Sequence, residues 1–358
     1  MEAKGARVLT FGLGVGTGIL AAATAISEKR GVHWWLRYFD FPRMQIAGLA
    51  AMMLPAAATR TRGKARAAMS AALAGIIGWQ AYKVRRFTPL ASWQTLPAQK
   101  QDPKRRVRFL IANVWEPNRN AERLLGFIRA EHPDIIVLLE PDHWWEERMR
   151  ELEATHPNTL KRSLENTYGM LVYSRLPWSE ARLRSLLMED VPSAVAWVEL
   201  PSGDGFRLYT VHPLPPGIGQ NTTDRDAELV MIGKEARAAG EAAVVAGDLN
   251  DVAWSYTTRL FQKVSRMLDP RIGRGFYNTF NAKSHLLRVP LDHVFHTDHF
   301  RLVALRRLPK FGSDHFPILV ELSYEPEGAD EQTVPRLDGE GRRAARRKLR
   351  KAREEGLL

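Results

Sequence analysis

Three long apolar stretches come first along the chain, and many short apolar runs follow them. Residues 8–26 form the first stretch, 19 residues without a charged side chain, close to the ~20 that cross a bilayer as a helix. Residues 44–58 and 67–82 are shorter and rich in alanine. We interpret residues 1–88 as a membrane region with two or three transmembrane helices, three being favoured, in which residues 8–82 contact lipid.

Two other interpretations of these stretches are open. A cleaved signal peptide would explain the basic start (Lys4, Arg7) and the first stretch, but not the later two. Buried helices of a soluble domain would explain the second and third. Aromatic residues beside both, such as Trp35 and Trp79, are typical of the membrane–water interface and favour the membrane.

Basic residues in the short loops indicate the orientation. Residues 60–66 carry four Lys/Arg and no acid, and with three spans they share a side with the amino terminus. Because basic loops stay inside, we expect the amino terminus inside and the chain beyond residue 90 outside. For a bacterial cell this predicts an inner-membrane protein whose globular part is on the periplasmic or external face.

Short β-rich runs recur after a polar, proline-containing linker at residues 89–105. Nine such runs lie between residues 107 and 322, and helical patterns at 121–130 and 224–239 separate some of them. Many strands with a few helices predict an α/β fold of two sheets flanked by helices. We assign residues 106–325 to this domain and residues 326–358 to a charged, disordered or helical tail.

The net charge of +12 lies almost wholly outside the domain. Residues 91–325 carry 30 basic and 30 acidic side chains, so bulk charge does not indicate a nucleic-acid partner. Residues 342–353 carry eight Lys/Arg and no acid. A solvated helix or a disordered tail explains them, and contact with anionic lipid or nucleic acid is the alternative. The absence of cysteine excludes disulfides, zinc–thiolate sites and cysteine nucleophiles.

Polar and titratable residues stand at the ends of the apolar runs of the domain. Carboxylates there are unfavourable unless they are paired or bind metal, so their repetition predicts one shared site. Some have ordinary alternatives, such as a turn for Gly247-Asp248-Leu249-Asn250 or a strand end for Glu140. The candidates are Asn113, Glu140, His212, Asp248, Asn250, Asp292, Asp314 and His315, whereas His293 and His296 fit ordinary strand positions.

The order of these motifs resembles the endonuclease/exonuclease/phosphatase superfamily, the fold of deoxyribonuclease I. The resemblance covers residues 105–323 and rests most on Gly247-Asp248-Leu249-Asn250 and Ser313-Asp314-His315-Phe316-Pro317. It implies a four-layer α/β sandwich with Mg²⁺, or Mn²⁺ in its place, in the cleft. It also implies that Glu140 is the principal metal ligand, that Asn113 lies beside it, and that Asp314 contributes to a second metal position.

The same resemblance implies roles for the remaining residues. His315, paired with Asp292, would act as a base or as a cation on the phosphate. Asp248 would orient the attacking water, and Asn250 and His212 would donate to the non-bridging oxygens. Trp115 stands where some nucleases of the superfamily have a second acid, which argues against a DNA-repair type of endonuclease.

The sequence therefore predicts a membrane-anchored, Mg²⁺-dependent phosphoesterase that hydrolyses a phosphodiester or phosphomonoester by attack of water. The balanced charge of the domain and the membrane region favour a lipid or small phosphoester. A membrane-tethered nuclease acting on DNA or RNA is the alternative. A catalytically idle membrane scaffold or nucleic-acid-binding protein of the same fold is the third possibility.

Overall fold

The computed structural model describes residues 2–217, 219 and 221–358. Its first part is a bundle of helices, α1 (Glu2–Ile26), α2 (Trp34–Tyr38), α3 (Arg43–Arg60) and α4 (Gly63–Val84). Helices α1, α3 and α4 pack around aliphatic side chains such as Leu20, Ala50 and Leu73. Gly16 permits the close approach of α3 to α1, because a Cβ there would lie 2.7 Å from the Met53 methyl group.

Among the described residues, one helix is long and apolar enough to cross a membrane, namely α1 over Arg7–Ile26. Most of this segment is exposed, although a signal sequence meets the same criterion of length and composition. Helices α3 and α4 cover the predicted stretches at 44–58 and 67–82 but fall short of that criterion. Two or three spans, and the side on which the globular part lies, therefore stay predictions.

The globular part is built on two β-sheets. The strands of the first are β1 (Arg106–Asn113), β2 (Ile135–Leu139), β3 (Asn158–Arg162), β4 (Met170–Ser174), β10 (Phe300–Arg307) and β11 (Ile318–Tyr324), in the order β10-β11-β1-β2-β4-β3. The strands of the second are β5 (Trp178–Ser185), β6 (Pro192–Glu199), β7 (Gly205–Val211), β8 (Ala243–Asp248) and β9 (Asp292–His296), in numerical order.

Helices cover the outer face of each sheet. They are α5 (Ala121–Glu131), α6 (His143–Met149), α7 (Thr223–Ala239), α8 (Tyr256–Ser265) and α9 (Gly339–Glu354), with short 3-10 turns at Arg85–Phe87, Pro103–Arg105, Arg150–Ala154 and Pro326–Glu331. Alternate side chains of β1 point to opposite faces, so Phe109 lies between the sheets while Leu110 packs under α5 and α6. The resulting helix–sheet–sheet–helix arrangement confirms the predicted four-layer α/β sandwich.

Strand register brings the polar strand ends to one edge of the sandwich. Parallel pairing of β1 with β2 sets Asn113 opposite Leu139, one residue before Glu140. Parallel pairing of β7 with β8 sets Val211 opposite Gly247, so His212 and Asp248 follow side by side. Antiparallel pairing of β8 with β9 sets Asp248 opposite Asp292. The two sheets thus supply the two halves of one site.

The helical bundle contacts the sandwich directly. The indole of Trp254 donates to the backbone oxygen of Asp40 (2.8 Å). An apolar cluster joins Val84 and Phe87 at the end of the bundle to Trp254, Val289 and Leu291 of the domain. The segment 89–105, predicted as a linker, lies against the domain, where Pro97 pairs with Leu302 of β10.

The carboxyl-terminal helix α9 is also part of the packed structure. Ala344, Ala345 and Ala352 are buried, and the first two pack on Val230 and Leu260 of α7 and α8. Residues 342–353 therefore lie in a helix, one of the two predicted forms, whose alanine face is docked on the domain while most of its basic side chains stay exposed.

Candidate active site

Glycine at position 247 is required by the approach of two strands. Its φ is 148°, and a Cβ would lie 1.9 Å from the backbone oxygen of Val211. With no side chain there, β8 runs close to β7 and ends beside it. The next residue, Asp248, is thereby held at the same edge as His212.

Glu140 occupies the first half of the site. It follows β2 with a left-handed backbone (φ 61°), and its Oε1 accepts a hydrogen bond from Asn113 Nδ2 at 2.7 Å. His212 Nε2 lies 3.8 Å from the same oxygen. Burial raises the pKa of Glu140 to about 7, and the carboxylates of Asp248 and Asp314 add to the effect. The site thus holds more negative charge than its own side chains neutralise.

Asp248 is central to the second half. One of its oxygens accepts the backbone N–H of Asn250 (2.8 Å), and the other lies 3.3 Å from Asn113 Nδ2 and 3.6 Å from His315 Nε2. Burial raises its pKa to about 6, with a contribution from Asp292 that His315 partly offsets. Asp248 is therefore mostly ionised at neutral pH and touches both halves of the site.

His315 is held as a cation between two carboxylates. Its Nδ1 lies 2.8 Å from Asp292 Oδ2, and its backbone N–H donates to Ser313 Oγ (2.9 Å). Burial alone would lower the pKa of His315, but Asp292 and Asp248 outweigh burial and raise it to about 10. The imidazolium form therefore dominates at neutral pH, with Nδ1–H donating to Asp292.

His212 and Asn250 lie at the same edge, and they differ in the hydrogen bonds that their side chains make. His212 is fully buried, and burial lowers its pKa to about 4, so the ring is neutral at physiological pH. Its Nδ1 has no hydrogen-bond partner among the described residues. Asn250 has a left-handed backbone (φ 51°), and its Nδ2 donates to the backbone oxygen of Pro213 (2.9 Å). That contact uses one of the two hydrogens of the amide.

Asp314 is half-buried next to His315. Its carboxylate raises the pKa of both Glu140 and His315, which places its charge at the site. Within the part of the chain that the structure describes, no hydrogen bond of its carboxylate supports a fixed orientation. The eight predicted residues thus come together at one edge, while their individual roles stay predictions.

Several residues that the sequence did not single out also form the site. The ring of Tyr168 lies 5.8 Å from that of His212, and the ring of Phe280 lies 5.0 Å from that of His315. Thr279 Oγ1 accepts the backbone N–H of Asp292 (3.1 Å). These residues lie outside the motifs, in irregular segments without a strand-end signal, so no pattern identifies them.

Arg225, in the first turn of α7, supports the site from the interior of the domain. It is fully buried, and its guanidinium donates to the backbone oxygen of Asn250 (2.7 Å) and lies 3.4 Å from Asp226. Arg225 therefore holds the loop after β8 from behind. His293, expected to be an ordinary strand residue, is buried against the backbone oxygen of Asp251 and the side chain of Arg271.

The donor set of the site fits a divalent cation. Glu140, Asp248 and Asp292 face a single cationic ring, and Asp292 Oδ1 is buried without a hydrogen-bond partner among the described residues. Carboxylate oxygens are the ligands that Mg²⁺ and Mn²⁺ prefer. Ligand atoms of Asp248, Asp292 and His315 also lie within 4.8 Å of one another. However, a protonated imidazole cannot bind a metal, so His315 is not a ligand in this state while the carboxylates remain candidates. That Glu140 is the principal ligand is what the family resemblance implies.

Asn113 presents its amide nitrogen, not its oxygen, to Glu140, because its Oδ1 accepts the backbone N–H of Trp115 (3.0 Å). In this arrangement Asn113 orients the carboxylate of Glu140.

A second group of acidic residues consists of Glu116, Asp142 and Glu165, whose carboxylate oxygens lie within 4.8 Å of one another. Asp142 pairs with Arg119 (2.6 Å) and caps α6, so local structure explains it.

Comparison with known proteins gives a family and a fold. Residues 110–315 match the model of the Endonuclease/Exonuclease/phosphatase family. No curated protein matches the chain. The catalytic domain of human nocturnin, solved with bound sulfate, is similar with a TM-score of 0.51 and 15% identity, over 65% of this chain and 97% of that one.

Two further solved structures are similar over the same region. An endonuclease/exonuclease/phosphatase from Beutenbergia cavernae has a TM-score of 0.50 and 20% identity, over 62% of this chain and 72% of its own. A humanized TDP2 from D. rerio has a TM-score of 0.50 and 14% identity, over 61% of this chain and 99% of its own. At these identities the likeness concerns the fold.

Proposed function

Because the chain belongs to the endonuclease/exonuclease/phosphatase family, whose model matches residues 110–315, we propose that it is a membrane-anchored phosphoesterase that uses a divalent metal ion. The observation that carries the proposal is the meeting of two half-sites. Glu140 and Asn113 come from the first sheet and Asp248 and Asp292 from the second, and Asn113 Nδ2 lies within 3.3 Å of carboxylates of both. A binding scaffold has no need of such buried, like-charged groups.

Glu140 would hold the metal ion, with Asn113 orienting its carboxylate and Asp314 adding charge nearby. A bound Mg²⁺ or Mn²⁺ supplies Lewis-acid stabilisation of the phosphate oxygens. The metal would also explain why a carboxylate with a pKa of about 7 stands at a family position for an ionised ligand, since a nearby cation favours the charged form.

Asp248 would position the attacking water. Its carboxylate is fixed by the backbone N–H of Asn250 and by Asn113, so an oxygen lone pair remains available for a water proton. A pKa of about 6 suits a group that accepts a proton near neutral pH. In-line attack of the water on phosphorus, with its proton passing to Asp248, would form a new P–O bond and break the P–O bond to the alcohol, which would leave as an alkoxide and take a proton from solvent.

His315 would act as a cation on the phosphate, one of the two roles that the resemblance implies. A pKa of about 10 leaves it without a lone pair for base catalysis at neutral pH, whereas its Nε2–H can donate to a non-bridging oxygen. Neutral His212 and the second amide hydrogen of Asn250 would donate to the same group. Such aligned donors act most strongly where charge develops in the transition state.

Anchoring through α1 places the enzyme at a membrane, and we propose the bacterial inner membrane with the domain on its outer side. The exposed apolar surface of Arg7–Ile26 supports the anchor, and the basic loop at 60–66 supports the orientation.

The test is a hydrolysis panel with the full chain in detergent and Mg²⁺. It offers bis-p-nitrophenyl phosphate, DNA, RNA, sphingomyelin and inositol phosphates, with Asp248→Asn as the matched inactive variant. We expect turnover of at least one substrate class that falls about 10²–10³-fold in the variant. Equal rates in wild type and Asp248→Asn would contradict the assignment, and turnover of nucleic acid alone would favour the nuclease alternative.

A further inference from the structure

A loop beside the candidate active site carries two leucines whose side chains are exposed to solvent. Residues 281–288 connect Phe280 to Val289, which pair with each other. At the tip of this loop, Leu286 is 81% exposed and Leu287 is 61% exposed. The two adjacent leucines form a small exposed apolar patch, and apolar patches rimmed by polar residues are typical of interaction sites.

The loop holds these leucines outward by its own hydrogen bonds. Ser284 Oγ accepts the backbone N–H groups of Leu286 (3.2 Å) and Leu287 (3.0 Å). The backbone N–H of Asn281 donates to the oxygen of Leu287 (3.1 Å), and Arg288 Nε donates to the oxygen of Ser284 (2.6 Å). Hydrogen bonds within the loop therefore fix the conformation of the apolar tip.

The base of the loop belongs to the candidate site. The ring of Phe280 packs on His315 with centroids 5.0 Å apart. The backbone N–H of Ala282 donates to the backbone oxygen of Asp314 (2.6 Å). Lys283 lies over the ring of Trp115, two residues after Asn113. Whatever the tip contacts is therefore close to the residues proposed to act on phosphate.

The tip of the loop contacts the helical bundle at the end nearest the domain. Gln45 Nε2, in the first turn of α3, donates to the backbone oxygen of Leu286 (2.6 Å). Its neighbour Met44 is exposed, as are Trp35 and Tyr38 between α1 and α3. Exposed aromatic residues at the end of a membrane helix are typical of the headgroup level.

Charge on the loop suits the same environment. Residues 281–288 include the cations Lys283 and Arg288 and no acidic residue. Apolar side chains flanked by cations are the composition of segments that enter the surface of an anionic bilayer.

We propose that the loop 281–288 enters the surface of the membrane that α1 anchors, and that the active site takes a phosphoester carried by a lipid of that membrane. This inference rests on the proposed function, which it narrows to a lipid substrate. The leucines would hold the site at the headgroup level, and the cations would contact lipid phosphates. The lipid bilayer is the partner that explains the apolar tip, the cations and the contact with α3 together.

The position of the loop can be measured without any activity. Because the chain has no cysteine, Leu286→Cys accepts a single environment-sensitive fluorophore in the full chain. Met188→Cys, an exposed position beside β5 at the opposite edge of the second sheet, is the matched control. In vesicles of phosphatidylcholine and phosphatidylglycerol we expect blue-shifted emission and quenching by lipid-borne nitroxide at Leu286 but not at Met188. Equal, water-like emission at both positions would overturn the loop assignment.

The lipid substrate is tested by comparing the rate of hydrolysis of vesicle lipids with that of a soluble ester. In the same vesicles, Leu286→Ser combined with Leu287→Ser should lower hydrolysis of phosphatidylglycerol, phosphatidic acid or sphingomyelin at least about tenfold, because two aliphatic contacts with lipid are lost. Hydrolysis of soluble bis-p-nitrophenyl phosphate should be unchanged, which also reports correct folding. An equal loss of both rates, or wild-type turnover of the soluble ester with none of the lipids, would overturn the lipid proposal. Absence of all turnover in the wild type would instead overturn the proposed function.

Discussion

Replacing Asp292 by asparagine separates the charge of this residue from its shape. Asp292 is buried at the start of β9, where its Oδ2 lies 2.8 Å from His315 Nδ1. Asparagine has nearly the same size, and Thr279 Oγ1 would still accept the backbone N–H at this position (3.1 Å). The substitution therefore removes a negative charge with little change in packing.

The expected effect follows from what holds the proton on His315. Burial opposes the imidazolium, and Asp292 is the largest influence that raises its pKa to about 10. With Asp248 still present, we expect the pKa of His315 to fall by roughly 2–3, which corresponds to about 3–4 kcal/mol. His315 would then lose its proton near neutral pH.

The assay is kcat/KM for Mg²⁺-dependent ester hydrolysis from pH 6 to pH 10. A group that must be protonated supports activity below its pKa, and activity is lost as the pH rises through it. The wild type should lose activity only near pH 10, and Asp292→Asn should lose it from near neutral pH. Asp298→Asn, at a half-buried position outside the site, is the control. An alkaline limb that stays in place in Asp292→Asn would refute the cationic role of His315.

Three further predictions concern the buried carboxylates Asp226 and Glu228 and the glycine at position 247. Asp226→Asn leaves buried Arg37 and half-buried Lys348 without their shared carboxylate. The free energy of unfolding of the full chain should fall by about 3–5 kcal/mol, which lowers its melting temperature, and an unchanged melting temperature would argue against the pairing. Burial raises the pKa of Glu228 to about 8 in the folded chain. As the pH rises above the ordinary pKa of a glutamate, the unfolded chain ionises first, and this destabilises the fold. Glu228→Gln should therefore have a higher melting temperature than the wild type at pH 9 and the same melting temperature below pH 4. Gly247→Ala should abolish activity, because its Cβ would lie 1.9 Å from the oxygen of Val211, and near-normal turnover would contradict that register.

Residues that end apolar runs could be predicted from the sequence. The run before Asn113, the run before Glu140 and the run before Asp248 are each buried strands with a polar residue at the end. Parallel strands of one sheet present their carboxyl ends at one edge, and the parallel pairing of β1 with β2 brings Asn113 and Glu140 together in this way, whereas Asp248 belongs to the other sheet. The link between the two sheets came from the resemblance to a known family.

Contacts between distant segments could not be predicted in this way. Asp226 pairs with Arg37, 189 positions earlier, and with Lys348, 122 positions later. A run of basic residues such as 342–353 has the same local pattern whether it is solvated or docked. Only the packing of α9 on α7 and α8 identifies Lys348 as a partner of the buried Asp226. The exposed leucines of the loop 281–288 were missed for the same reason, since exposure is a property of the fold.

Metal dependence centred on Glu140 is tested most simply by measuring the rate of phosphoester hydrolysis by the full chain as Mg²⁺ is titrated, for the wild type and for Glu140→Gln. Removal of one metal ligand keeps the fold but weakens the metal site. We expect a saturable dependence on Mg²⁺, loss of turnover with a chelator, and a Glu140→Gln curve with a lower maximal rate and half-saturation at a higher Mg²⁺ concentration. Turnover that persists in the chelator, or that Glu140→Gln leaves unaltered, would contradict a metal-dependent phosphoesterase centred on Glu140.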